Sequence, residues 1–144
     1  LIAALLGALV GWERERRGTE AGIRTHITVC VGACTFALVS AHIPGADPAR
    51  VASQIVVGIG FLGAGVIINQ KGTVSGLTTA AAIWATAAVG VATAFGMYLL
   101  AVATALIIYG TLAMNRLPLW RRIQGRAQAG AHADAPGAGK EPDR

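Results

Sequence analysis

Between Gly11 and His26 the chain reads GWERERRGTEAGIRTH, which sets seven charged side chains and a histidine between two apolar stretches. One charge at the centre of a bilayer costs on the order of 3 kcal/mol or more. A group this dense therefore belongs at a membrane surface or along a polar cavity. Glu13 and Arg17 stand i, i+4, as do Arg16 and Glu20; on a continuing helix such pairs neutralise each other for about 0.2–0.5 kcal/mol each. Glu13 differs because it follows Trp12 directly, which sets it just within the membrane boundary. Arg24 and His26 open the next apolar stretch, where either can face Glu13. Glu13, Arg16, Arg24 and His26 are thus the functional candidates, since ionisable groups at that depth are functional by default.

Carboxylate oxygens suit a hard cation such as Mg²⁺. Yet the apolar stretches after His26 contain no Asp or Glu, so no dehydrated cation cage is legible, which weighs against an ion transporter. No cofactor is read from the sequence, and Mg²⁺ is the one ion left open. Cys30 and Cys34 lie one helical turn apart, but two thiols without His or carboxylate neighbours make a poor metal site. They read as small packing residues. With no hydrolase triad, phosphate loop or metal cluster, the expectation is a protein that is not an enzyme and takes no nucleic acid.

Two further segments carry motifs. Gly58-Ile59-Gly60-Phe61-Leu62-Gly63 matches the dinucleotide fingerprint literally, but that motif needs a preceding strand and an acid about 20 residues on. Here it falls within an apolar stretch and position 83 is Ile. Gly58, Gly60, Gly63 and Gly65 are instead read as a helix-packing surface that admits close approach. Downstream, Ser75, Thr78, Thr79 and Thr86 form a weakly polar stripe. Hydroxyls in lipid bond back to their own helix or bridge to a neighbour; a water- or ion-lined groove is the sharper alternative.

The elements that position these residues follow from composition. The chain has 144 residues, 54% hydrophobic and 13% charged, with mean hydropathy +0.59, against about 25% charged in a soluble domain. No charge occurs over residues 51–70 or 72–115; as helix the latter is about 66 Å long, enough to cross a bilayer twice. The spacing predicts an all-α, polytopic helical membrane bundle of about five transmembrane helices, near 1–12, 23–43, 51–68, 74–94 and 97–114. The first run is shorter than the roughly 20 residues a span needs and begins at Leu1 without signal-peptide features, so a truncated first helix and a fragment are expected. Asp47-Pro48 is a helix start, and a tight turn is expected near Gly96. The domain reading is a transmembrane domain over 1–115, a basic juxtamembrane segment over 116–126 suited to anionic membrane lipid, and a disordered tail over 127–144. Basic residues set orientation. With five spans, Arg14, Arg16, Arg17, Arg24, Lys71, Arg116, Arg121, Arg122 and Arg126 share one side and Arg50 stands alone on the other. The first side is then cytoplasmic, with the N-terminus outside and the C-terminus inside.

Three segments together, Gly11-x-Glu13-Arg14-Glu15-Arg16 with Gly22-Ile23-Arg24-Thr25-His26, the glycine run 58–65, and Gly76-Leu77-Thr78-Thr79-Ala80-Ala81 with Trp84 and 87–90, resemble the MgtC/SapB family of bacterial inner-membrane proteins. The resemblance implies a five-span domain with a cytoplasmic C-terminus. It further implies a tie to Mg²⁺ homeostasis and to survival under Mg²⁺ limitation, including within host phagocytes. Some members modulate other membrane complexes, notably the F-type ATP synthase, and direct Mg²⁺ transport has been proposed. This sequence departs from the family in two respects. Some members add an ACT-like C-terminal domain, where this chain has only the tail; and Thr78 and Ala85 stand where virulence-associated members can carry Asn and Cys. Two functions follow: a non-catalytic regulator that binds a membrane-protein partner or forms a homo-oligomer through its small-residue faces, or a transporter or channel with Glu13, Arg24 and His26 at a cytoplasmic gate. The lack of acids within the spans favours the regulator.

Overall fold

Asp47 Oδ1 accepts a hydrogen bond from the Ala49 N–H at 2.9 Å and Pro48 takes the first helical position, where its missing N–H costs nothing. The helix start read from the sequence is thus the start of α3, Pro48–Gly65. The computed structural model describes residues 1–70 and 73–114. The other helices are α1, Ile2–Glu15, α2, Ile23–His42, α4, Leu77–Ala94, and α5, Tyr98–Ala113. Between α3 and α4 a short antiparallel ribbon joins β1, Ile68–Gln70, to β2, Thr73–Ser75, in the register Ile68↔Ser75. A plain loop was expected there; the β-branched Thr73-Val74 pair favours a strand. Lys71 and Gly72, the segment 116–126 and the tail 127–144 lie outside the described residues.

The chain is an all-α membrane bundle. α2, α3 and α4, with 20, 18 and 18 residues, are long and apolar enough to cross a membrane; α5 is apolar over 16 residues and α1 has 14. Residues Leu1–Leu112 form one compact unit, and of the second, Ala113–Arg144, only Ala113 and Met114 are described. α2 packs on α1 and α4, and α3 lies against α4 and α2. The core gathers Ala3 and Val10 of α1, Cys30 of α2, Ala82, Val89 and Ala92 of α4, and Ala101, Ala105, Ile108 and Leu112 of α5. Small side chains dominate, so helix backbones approach closely.

Two turns need glycine. Gly96 (φ +71°) ends α4, with the Met97 N–H on Ala92 O at 2.9 Å. Gly76 (φ +86°) begins α4, and a Cβ there would run into the Val66 carbonyl. Because the chain reverses at each connection, residues 13–24, the ribbon and the end of α5 share one end of the bundle. The 42–48 connection and the Gly96 turn lie at the other.

Candidate functional site

The site is built on the face of α1 that points inward. Ala3, Gly7, Val10 and Arg14 follow at intervals of four, three and four, and all are buried. This is the stride of one helical face, and it carries Arg14 into the bundle with the small residues before it. Glu13 is also buried, with 0% exposure, whereas Trp12 and Arg16 are on the outer face, the guanidinium 5.9 Å from the ring centroid. That pairing is a cation–π contact.

Five contacts close this end. Arg17 Nε donates to Glu13 Oε1 at 2.7 Å, and Arg17 Nη2 donates to the Leu112 carbonyl of α5. Arg14 Nη2 donates to Thr79 Oγ1 of α4 at 2.7 Å. Glu15 Oε2 accepts from the Ile23 N–H at 2.9 Å and so caps α2, whose cap residue Gly22 has no side chain of its own. Thr19 Oγ1 donates to Arg14 O at 2.9 Å and fixes the returning loop. The charged segment therefore ties α1 to α2, α4 and α5 at once. A cavity of about 200 Å³ opens beside it, lined among others by Thr19, Glu20, Ser75, Gly76 and Thr79. Among the described residues no three His, Cys, Asp or Glu side chains gather as metal ligands.

His26 is buried in α2, its Nδ1 2.9 Å from Gly22 O. It lies where α1 comes nearest: a Cβ at Gly11 would meet Ile23 Cα at 2.6 Å and His26 Cβ at 3.1 Å, and one at Gly7 would meet His26 O at 2.7 Å. On α4, a Cβ at Gly90 would run into the Cys30 carbonyl. Gly7, Gly11 and Gly90 are the contacts that fix this part of the bundle.

A family model described as MgtC family matches residues 1–117. The chain belongs to the MgtC family. It is 52% identical to Protein MgtC of Brucella abortus (strain 2308) over 108 residues, 74% of this chain and 45% of that protein. To Protein MgtC of Salmonella typhimurium (strain LT2) it is 48% identical over 108 residues, 75% of this chain and 47% of that protein. The chain thus spans about half the length of the curated MgtC relatives it matches. No solved structure matches it.

Within this MgtC-family bundle the expected residues separate. Glu13 and His26 are buried, His26 at the α1–α2 contact, while Arg24 and Arg16 are exposed. The structure pairs Glu13 with Arg17 rather than with Arg24. The i, i+4 pair thus forms, but inside the bundle rather than in solvent. Arg14 and Arg17, read from sequence as surface charge, are the residues missed; the stride from Ala3 to Arg14 was the available signal. Of the glycine run, Gly63 packs on Ala80, 3.6 Å from an added Cβ, whereas a Cβ at Gly58, Gly60 or Gly65 would meet nothing within 4 Å among the described residues. Gly58 and Gly32 line an apolar cavity of about 540 Å³ between α2 and α3. The hydroxyl stripe also divides. Thr79 accepts from Arg14, Thr86 bonds back to Ala82 O at 2.8 Å, and Thr78 and Ser75 are exposed.

Proposed function

We propose that this protein is a non-catalytic regulator of the bacterial inner membrane that acts in Mg²⁺ homeostasis by contacting another membrane protein. Its N-terminus lies outside and its C-terminus in the cytoplasm. One observation carries this reading: the charges at the inner end hold the protein's own helices together, while Gly60 and Gly65 of α3 are exposed, with nothing among the described residues within 4 Å of an added Cβ. Guanidinium groups engaged by Glu13, Thr79 and Leu112 serve as a clasp. The exposed glycines offer a backbone surface to a neighbouring helix. The relatives' name, Protein MgtC, and the resemblance to the MgtC/SapB family support the Mg²⁺ connection. Thr78 and Ala85, where virulence-associated members differ, leave the particular partner to experiment.

The test is flux. Full-length protein, alone in proteoliposomes containing a Mg²⁺ indicator, is expected to give no more signal than empty vesicles, while its gene supports growth at low Mg²⁺. Flux that scales with protein would overturn the regulator in favour of a transporter. For orientation, Cys30 and Cys34 are first replaced by Ala. A cysteine at position 47 should then react with an impermeant thiol reagent from outside, and one at position 71 should not.

A further inference from the structure

Two buried polar atoms at the α1–α2 contact have no hydrogen-bond partner among the described residues: Arg14 Nε and His26 Nε2. Arg14 is 5% exposed and His26 0%. Such atoms are rare in folded proteins, because a buried polar atom left unsatisfied is destabilising. They also share one place. Gly11 abuts His26, and Arg14 follows Gly11 by three residues on the same face of α1.

The chemistry of the two atoms restricts what joins them. The Gly22 carbonyl can only accept, so His26 Nδ1 carries the proton in that contact. Two cations side by side away from water are costly, so the ring beside Arg14 is the neutral one and its Nε2 is a bare acceptor. Arg14 Nε–H is a donor and never an acceptor. The ligand must therefore accept from Arg14 and donate to His26. A halide ion cannot donate, and a metal cation cannot accept. Water does both, and buried waters bridge otherwise unsatisfied polar groups in this way.

We propose that a buried water bridges Arg14 Nε and His26 Nε2 and forms part of the joint between α1 and α2. Arg14 would then reach α4 through Thr79 with one nitrogen and α2 through the water with another.

The experiment is solid-state NMR on the full chain in lipid bilayers, with ¹⁵N-labelled histidine and magnetisation transferred from water protons. His42→Asn and His132→Asn in the same chain leave His26 as the observed ring. The expected result is a neutral ring protonated at Nδ1 whose Nε2 receives magnetisation from water at short mixing times. Arg14→Met should reduce that transfer several-fold. A ring protonated on both nitrogens, an Nε2 with no water transfer, or a transfer unchanged in folded Arg14→Met would each overturn the bridge. If Arg14→Met does not fold, the measurement on the Arg14 protein decides by itself.

Discussion

α4 and α3 have the same length and both are rich in small residues, yet the bundle uses them in opposite ways. Eight residues of α4 are buried, from Ala80 to Ala92, against one of α3, Gly63. Gly90 of α4 lies against the α2 backbone, as do Gly7 and Gly11 of α1, whereas an added Cβ at Gly58, Gly60 or Gly65 of α3 would meet nothing within 4 Å among the described residues. A glycine in a membrane helix therefore does not by itself report a close approach. The neighbour decides, and the neighbour of α1 and α4 is α2. The polar residues follow the same division. Arg14, Glu13, Arg17 and Thr79 serve the α1–α2–α4–α5 part, while the polar side chains of α3, Arg50, Ser53 and Gln54, are exposed.

The largest effect that would break this contrast comes from Gly90. Gly90→Leu forces a branched side chain into the Cys30 backbone, which cannot yield as a flexible side chain would, and overpacking of this kind costs on the order of 3 kcal/mol. Loss of folded protein by size-exclusion chromatography in detergent is the expected outcome. Gly60→Leu should run as the unaltered protein does while losing capture of a membrane partner. Equal loss of fold in both variants would erase the distinction between the two helices.

Next is the clasp. Glu13→Gln leaves Arg17 facing an amide at a buried position, and removing one partner of a buried pair costs up to about 3–5 kcal/mol. Arg17 keeps 22% of its side chain exposed, which lowers the expected loss to about 2 kcal/mol. Glu15→Gln keeps an oxygen that can accept from Ile23 and should cost about 1 kcal/mol or less. Thermal unfolding in detergent should rank them in that order. The exchange Glu13→Arg with Arg17→Glu should recover part of the loss, and Glu13→Arg with Arg24→Glu should not.

A smaller effect separates the threonines. Thr79→Val removes the acceptor from Arg14 and should cost about 1–2 kcal/mol. Thr86→Val gives up only a bond to its own helix and should stay within about 0.5 kcal/mol, because that carbonyl already serves the helix ladder. The same melting measurement in both variants checks this, and a larger loss at Thr86 would restore the hydroxyl stripe as one functional unit.

The helices themselves were legible, since long uncharged runs, the Asp47-Pro48 start and Gly96 each act through local physics that a sequence displays. The choice among glycines was not, because it depends on which helix lies opposite, and hydropathy within a membrane span gives little phase information. Arg14 shows both sides. Its place on the small-residue stride from Ala3 could be read, but the neighbouring charges suggested solvent. The ribbon was missed for a different reason: three-residue strands are too short for an alternating pattern to register against the spans around them.

The bond from Arg17 to the Leu112 carbonyl joins residues 95 positions apart in the chain, and it bears on the order of events during synthesis. At roughly 5–20 residues per second, the first helix waits on the order of 5–20 s for the last helix to emerge. During that interval the Arg17 guanidinium has Glu13 but not its second partner. Only once the fifth helix has emerged can the second contact form. Closure of this end of the bundle is thus a late event, set by the arrival of α5 rather than by the formation of α1.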